Sequence, residues 1–184
     1  MTELICSKPS ISLHLGDCIS FMRGMEDKSV DLIITSPPYI LGNNHHTSNN
    51  RHFPYEDDLD ENEYQEWQLS VLNESYRILK NDGSMFYNHK NRIKNGISIS
   101  PFAWISRSNF LFKQEIVWVN GTPCFDKIRF FPFTERIYWL VKETETIFEN
   151  NIGIKDFVTA RRWYPEGCAG DHFRRFPIQM VLDI

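Results

Sequence analysis

The sequence predicts an α/β fold: a mostly parallel sheet flanked by helices, with an antiparallel hairpin late in the chain. Three observations carry that prediction. Val30–Thr35 is a short apolar run, rich in β-branched residues apart from Asp31, as in a strand buried on both faces. Residues 60–79 place Tyr64, Trp67, Val71, Leu72, Ile78 and Leu79 on one stripe at helical spacing. Two later runs, Ile116-Val117-Trp118-Val119 and Ile137-Tyr138-Trp139-Leu140-Val141, read as paired strands, with the turn signal Asn120-Gly121 between them.

Each element follows in order. Residues 1–10 read as a loose lead-in. Ile11, Leu13 and Leu15 then alternate with Ser12 and His14, giving a strand over 11–16 that Gly16-Asp17 ends. Residues 18–25 form a short helix, and Glu26-Asp27-Lys28-Ser29 turns the chain into Val30–Thr35. This strand–helix–strand unit is the crossover that two parallel strands need. Residues 40–59 are polar and without period, a flexible loop of the kind used as a lid or binding segment. Asp60 opens the long helix with Glu63 three residues on, as in a capping box. Lys80-Asn81-Asp82-Gly83 closes it, residues 84–88 are the next strand, and His89 to Lys94 is a basic loop. A helix over 101–108, strands over 112–120 and 136–142, and an irregular stretch over 143–171 complete the reading.

Composition sets the outer bounds. With 184 residues and 41% hydrophobic content, a single domain spanning 1–184 with a real core is expected. The net charge of −4 makes the whole molecule no attractor for DNA, so nucleic-acid contact must use local basic clusters. Cys6, Cys18, Cys124 and Cys168 are scattered without a Cys-x-x-Cys pair, so reduced thiols and no metal site are expected. His45, His46 and His52 lack a ligand pattern with carboxylates. There is no basic-then-apolar leader, and no apolar run approaches the roughly 18 residues of a membrane span. The expectation is a cytoplasmic protein.

The strand at Val30–Thr35 stops at Ser36-Pro37-Pro38-Tyr39. Each proline fixes φ and lacks an N–H, so the chain leaves the sheet in a stiff, extended turn. Ligands of open α/β sheets bind beyond the carboxyl ends of the strands. A rigid turn there, carrying a hydroxyl, carbonyls and an aromatic ring, suits a flat polar group.

Thr35-Ser36-Pro37-Pro38-Tyr39 resembles the catalytic motif of the DNA amino-methyltransferases: Asp, Asn or Ser, then Pro-Pro, then an aromatic. The helix, Leu-Lys-Asn-Asp-Gly and strand that follow resemble the same family's order after that motif. The resemblance implies a partial Rossmann-like methyltransferase sheet and methyl transfer from S-adenosylmethionine to an exocyclic base amine of double-stranded DNA. Serine at the first position favours N4 of cytosine, with N6 of adenine also open. It implies that Ser36 and the Pro37 carbonyl accept the amine's two N–H bonds, that Pro38 stiffens the turn, and that Tyr39 stacks on a flipped base. Asp17, after Gly16, is implied near the adenosine of the cofactor; as the residue before a helix it is equally an N-cap. Cys18 and Thr35 flank the same pocket under this resemblance. Asp171-His172-Phe173-Arg174-Arg175-Phe176-Pro177 resembles the segment returning to the cofactor, implicating His172, Phe173, Phe176 and Pro177, with Phe173 in place of an expected proline. Lys90, Arg92, Lys127, Arg129, Arg161 and Arg162 are the candidate nucleic-acid contacts. Cys124, after Pro123, lies far from the motif and is incidental.

The resemblance breaks at one point. In members with this motif order, a strand and a Phe-x-Gly-x-Gly loop follow the returning helix, and none of the nine glycines supplies it. The expectation is a domain incomplete in its cofactor-binding part, a split or truncated product, or a chain completed by a partner that supplies the glycine loop. The isolated chain is then expected to bind S-adenosylmethionine weakly. The alternative function is an inactive fragment that serves as a DNA-binding or interaction module.

Overall fold

The computed structural model describes residues 3–8, 11–39, 59–119, 129–131, 133–145, 153 and 155–159. The flexible-loop expectation for 40–59 falls almost wholly outside them, as do all expectations beyond residue 159.

Five strands form the main sheet: β3 (Val30–Thr35), β4 (Leu79–His89), β7 (Leu111–Val119), β8 (Thr134–Val141) and β9 (Phe157–Thr159). Their spatial order is β3-β4-β8-β7-β9. β3 runs parallel to β4 and β9 parallel to β7, while β8 is antiparallel to both its neighbours. Only β8 therefore runs against the other four strands. The mostly parallel sheet and its late antiparallel pair are as the sequence predicts.

Helix α2 (Glu61–Ile78) packs on one face. Its capping box is complete: the Asp60 carboxylate accepts from the Asn62 and Glu63 backbone, and Glu63 reaches back to the Asp60 N–H. Alternation along the strands divides the core. Met85, Tyr87, Tyr138 and Leu140 join Tyr64, Leu72 and Leu79 on the α2 side, with Trp104, Ile105 and Phe110 around α3 (Phe102–Ile105). Phe86, Ile137, Trp139 and Val141 meet Trp118 on the other side. Helix α1 (Cys18–Arg23) is tied to α2 by Arg77, which donates to the Met22 and Met25 carbonyls and pairs with Asp27.

Several expectations are corrected. Residues 3–8 form β1 (Glu3–Lys8), which pairs with β2 (Ile11–Leu15) in a separate two-stranded sheet. Thus β2 is no parallel neighbour of β3, and Ile11, Leu13 and Leu15 are 61, 55 and 62% exposed. Alternation alone identifies a strand but does not choose its partner. Among the described residues β3 lies at the sheet edge, where Leu32 is 48% exposed, so it is not the strand buried on both faces that the sequence suggested. Lys80-Asn81-Asp82-Gly83 is not a helix-closing turn. The backbone is already extended at Leu79, and the segment bulges within β4 between the pairs Val30↔Leu79 and Leu32↔Ser84. Burial of Leu79 opposite Val30 outweighs the turn chemistry of Asn-Asp-Gly.

The basic loop at 89–94 is in part a hairpin, β5 (Arg92–Lys94) with β6 (Ile97–Ile99). Asn95 and Gly96 turn it with φ of 52° and 78°, as a two-residue turn of primed type requires. The Asn-Gly dipeptide was the available signal. β9 falls within the stretch expected to be irregular, and the helix expected over 101–108 is limited to four residues.

Gly83 is fixed by close approach. A Cβ there would lie 2.8 Å from the Asp31 carbonyl oxygen and 2.9 Å from Leu79 Cγ and Cδ1. Because backbone must move to admit it, Gly83→Ala is expected to destabilise the fold by about 1–3 kcal/mol, read as a lower urea midpoint.

Candidate active site

The candidate site lies at the carboxyl ends of β3 and β4 and the amino end of β8. The antiparallel β8 is what brings an amino-terminal residue, Glu135, to the edge where the parallel strands finish. Along the motif the side chains alternate: Ser36 and Pro38 are exposed, whereas Pro37 and Tyr39 are buried. The extended diproline backbone produces that alternation.

Tyr39 is 9% exposed. Its hydroxyl lies 3.3 Å from Ser36 Oγ and donates to Glu135 Oε2 at 3.3 Å. The Asn88 amide Nδ2 sits in the middle, 3.1 Å from both the Tyr39 hydroxyl and Glu135 Oε2 and 3.3 Å from Ser36 Oγ. Asn88 Oδ1 is buried without a hydrogen-bond partner among the described residues. An unpaired buried acceptor costs about 1–3 kcal/mol, so the amide is held in place at the expense of its own oxygen. The Tyr39 ring meets the His89 ring edge-on at 4.7 Å, and the Lys90 ammonium lies 5.3 Å from the centre of the Tyr39 ring.

A second group of side chains backs the motif. Tyr64 Oη is 3.1 Å from the Pro38 carbonyl and 2.6 Å from His89 Nε2. His89 Nδ1 is 2.6 Å from the Lys90 carbonyl, which can only accept, so Nδ1 carries the proton and the single Tyr64 hydroxyl proton is shared between His89 Nε2 and the Pro38 carbonyl. Burial lowers the His89 pKa to about 3, against the pull of the Lys90 carbonyl and aided by the Arg92 and Lys90 charges. Burial likewise raises the Tyr64 hydroxyl, an effect opposed by the Arg92 charge.

This has a pH consequence. The folded pKa of His89 is depressed from its ordinary 6.5 to about 3, so the unfolded chain binds more protons between those values. The stability gained by keeping His89 neutral is complete above the unfolded pKa and declines as pH falls through the window toward the folded pKa. Urea midpoints are expected to drop from pH 7 to pH 4, and His89→Gln should flatten that slope.

The other candidate residues divide clearly. Thr35 ends β3, half-buried, beside Tyr87 of β4. Asp17 is the N-cap of α1, its Oδ2 accepting from Ser20 N at 2.7 Å; that bond lowers its pKa and keeps it an acceptor. Gly16 before it has a φ of 151°, a conformation that favours glycine. Cys18 is exposed. A carboxylate beside a glycine fits a hydroxyl- or amine-bearing ligand, though the carboxylate already serves the helix. Arg92 faces inward: it pairs with Glu61 Oε2 at 2.8 Å and lies 4.0 Å from the centre of the Tyr64 ring. Arg129 is exposed next to Phe130. Lys127, Arg161, Arg162, His172, Phe173, Phe176 and Pro177 lie outside the described residues. Among the described residues there is no group of three potential metal ligands, and no helix is long and apolar enough to cross a membrane.

Sequence reasoning missed Asn88, Glu135 and the role of Tyr64. A polar Asn-His pair ending an apolar strand was a usable signal for Asn88. Nothing local marks Glu135, because its relevance depends on β8 running backwards.

A mostly parallel sheet with one reversed strand, and a Ser-Pro-Pro-Tyr turn at the carboxyl ends of its strands, define an α/β fold of the methyltransferase type. The family model for DNA methylases, of the N6 and N4 type, matches residues 30–176, and the chain belongs to that family. It is 30% identical over 141 residues to the type II methyltransferase M.BglII of Bacillus subtilis, covering 74% of this chain and 36% of that protein. It is 26% identical over 158 residues to the type II methyltransferase M.PvuII of Proteus hauseri, covering 83% of this chain and 40% of that protein. The chain thus spans well under half the length of these relatives. Among solved structures, the cytosine-N4-specific PvuII DNA methyltransferase shares the fold, with a TM-score of 0.69 at 20% identity over 92% of this chain and 67% of that one.

Proposed function

We propose that this chain is the catalytic-motif part of a site-specific DNA amino-methyltransferase using S-adenosylmethionine, with N4 of cytosine the favoured target and N6 of adenine the second. The observation that carries the reading is the exposed Ser36 hydroxyl on a stiff diproline turn, anchored from below by Asn88 and Tyr39.

The chemistry needs such a turn. A base amine is a poor nucleophile because its lone pair is delocalised into the ring. Ser36 Oγ and the Pro37 carbonyl accept its two N–H bonds, which favours a pyramidal nitrogen with its lone pair directed outward. S-adenosylmethionine, held by the residues named below, would supply an electrophilic methyl group to that nitrogen. No covalent enzyme intermediate is required, so catalysis is by position and hydrogen bonding. Tyr64 holds the adjacent Pro38 carbonyl, which stiffens the turn. Tyr39, expected from the sequence to stack on the base, is buried with its hydroxyl turned inward to Asn88 and Glu135, so it braces the turn from below, and Lys90 beside its ring is the group proposed to reach a phosphate.

Asp17 is proposed to contact the cofactor's adenosine while capping α1, with Cys18, Thr35, His172, Phe173, Phe176 and Pro177 around it. Lys90, Lys127, Arg129, Arg161 and Arg162 are proposed to contact DNA; Arg92 is proposed to act through Tyr64. Residues 1–184 are proposed to act as one domain in the cytoplasm. The exposed apolar residues of β2 and β3 are proposed to meet a segment or partner chain that supplies a glycine-rich cofactor strand.

The test is transfer of labelled methyl from S-adenosylmethionine to duplex DNA, with mass spectrometry of the hydrolysed nucleosides. N4-methylcytosine is the expected product. N6-methyladenine would change the target base, and DNA binding without transfer, even with the glycine-loop strand supplied, would reduce the chain to an interaction module.

A further inference from the structure

We propose that Asn88 and Glu135 are positioning residues that set the direction of the hydrogen-bond chain ending on Ser36, so that its hydroxyl faces the substrate amine as an acceptor. The proposal rests on the methyl-transfer reading of the site and goes beyond it by assigning a direction to the hydrogen bonds and a role to Glu135.

A carboxylate oxygen accepts and does not donate. Glu135 Oε2 receives the Tyr39 hydroxyl at 3.3 Å and the Asn88 amide at 3.1 Å. The single Tyr39 proton is thereby used, so toward Ser36 its oxygen can only accept, and Ser36 gives its one proton to Tyr39, 3.3 Å away. The second amide proton of Asn88 lies between the Tyr39 oxygen at 3.1 Å and Ser36 Oγ at 3.3 Å. At least one lone pair therefore remains on Ser36 Oγ, and Ser36 is exposed. The Asn88 amide cannot be turned over without placing its carbonyl oxygen against the Glu135 carboxylate and the Tyr39 oxygen. That explains why Oδ1 is left without a partner on the far side.

Direction matters for the chemistry. An amine about to be methylated must keep its lone pair free for the incoming carbon. A serine that donated to that lone pair would block the reaction; a serine that accepts an N–H promotes it. The 3.3 Å contacts are long for hydroxyl bonds, as catalytic hydrogen bonds often are before substrate draws them together.

Glu135→Gln places a donor where only an acceptor stood, and Glu135→Asp keeps the acceptor. In the full chain, supplied with whatever partner the methyl-transfer assay requires, Glu135→Gln is expected to lower kcat at least about tenfold with KM for DNA little changed. Glu135→Asp should recover part of the loss. A purely structural role would move the melting temperature and KM as well. Neutron diffraction of deuterium-exchanged wild-type crystals should find the Ser36 deuteron directed at Tyr39 and the Tyr39 deuteron at Glu135. A Ser36 deuteron pointing outward, or a Glu135→Gln variant with wild-type kcat, overturns the proposal. Deuterons placed as described in a protein that transfers no methyl group would overturn the methyl-transfer reading and leave the assignment of direction intact.

Discussion

Ser36→Ala is expected to lower methyl transfer by about 10²–10³-fold, the usual effect of removing one preorganised hydrogen-bonding group from a reacting centre. The loss should fall on kcat, because the bond to the amine strengthens only as the nitrogen becomes pyramidal. Folding should hardly change: Ser36 is exposed, and its loss leaves the Tyr39 hydroxyl still bonded to Asn88 and Glu135. A stability change within about 0.5 kcal/mol is expected. Ser36→Asn, which keeps an acceptor, should retain part of the rate. Single-turnover transfer of labelled methyl, together with urea unfolding of the same samples, separates the two effects. A Ser36→Ala protein that methylates DNA at the wild-type rate would remove the diproline turn from the mechanism.

Trp104→Ala is expected to have the largest effect on folding. Trp104 is fully buried on α3, edge-on to Tyr64 at 5.8 Å and to His89 at 5.1 Å. Its Nε1 donates to Tyr87 Oη at 3.1 Å, and Tyr87 donates onward to Gln68 Oε1 at 2.6 Å. Truncation opens a cavity and takes one donor from a buried chain, for a cost of about 3–5 kcal/mol. In a chain of this size that corresponds to a fall in melting temperature of roughly 10 °C. Trp104→Phe restores most of the volume but not the N–H, and about 1–3 kcal/mol of the loss should persist. Because Trp104 packs against His89, which steadies Tyr64 and hence the Pro38 carbonyl, a folded variant should also lose transfer rate. Calorimetric melting of the three proteins checks the order wild type, Phe, Ala.

The α/β class, the α2 capping box, the strand at Val30–Thr35 and the Ser-Pro-Pro-Tyr turn were all legible in the residues themselves. Each is governed by local chemistry: periodic burial, a side chain satisfying nearby N–H groups, or a proline fixing φ. The helical stripe read from the sequence also holds, with Tyr64, Val71, Leu72, Ile78 and Leu79 buried and Trp67 partly so. Tertiary structure decided what local chemistry could not. It gave β2 to β1 rather than to β3, turned Lys80–Gly83 into a bulge because Leu79 is buried opposite Val30, and directed Arg92 into an ion pair with Glu61. It also brought Asn88 and Glu135, 47 residues apart, within 3.1 Å. Long-range strand pairing is set by the burial of whole faces and by the return path of the chain, and no window of neighbouring residues contains either.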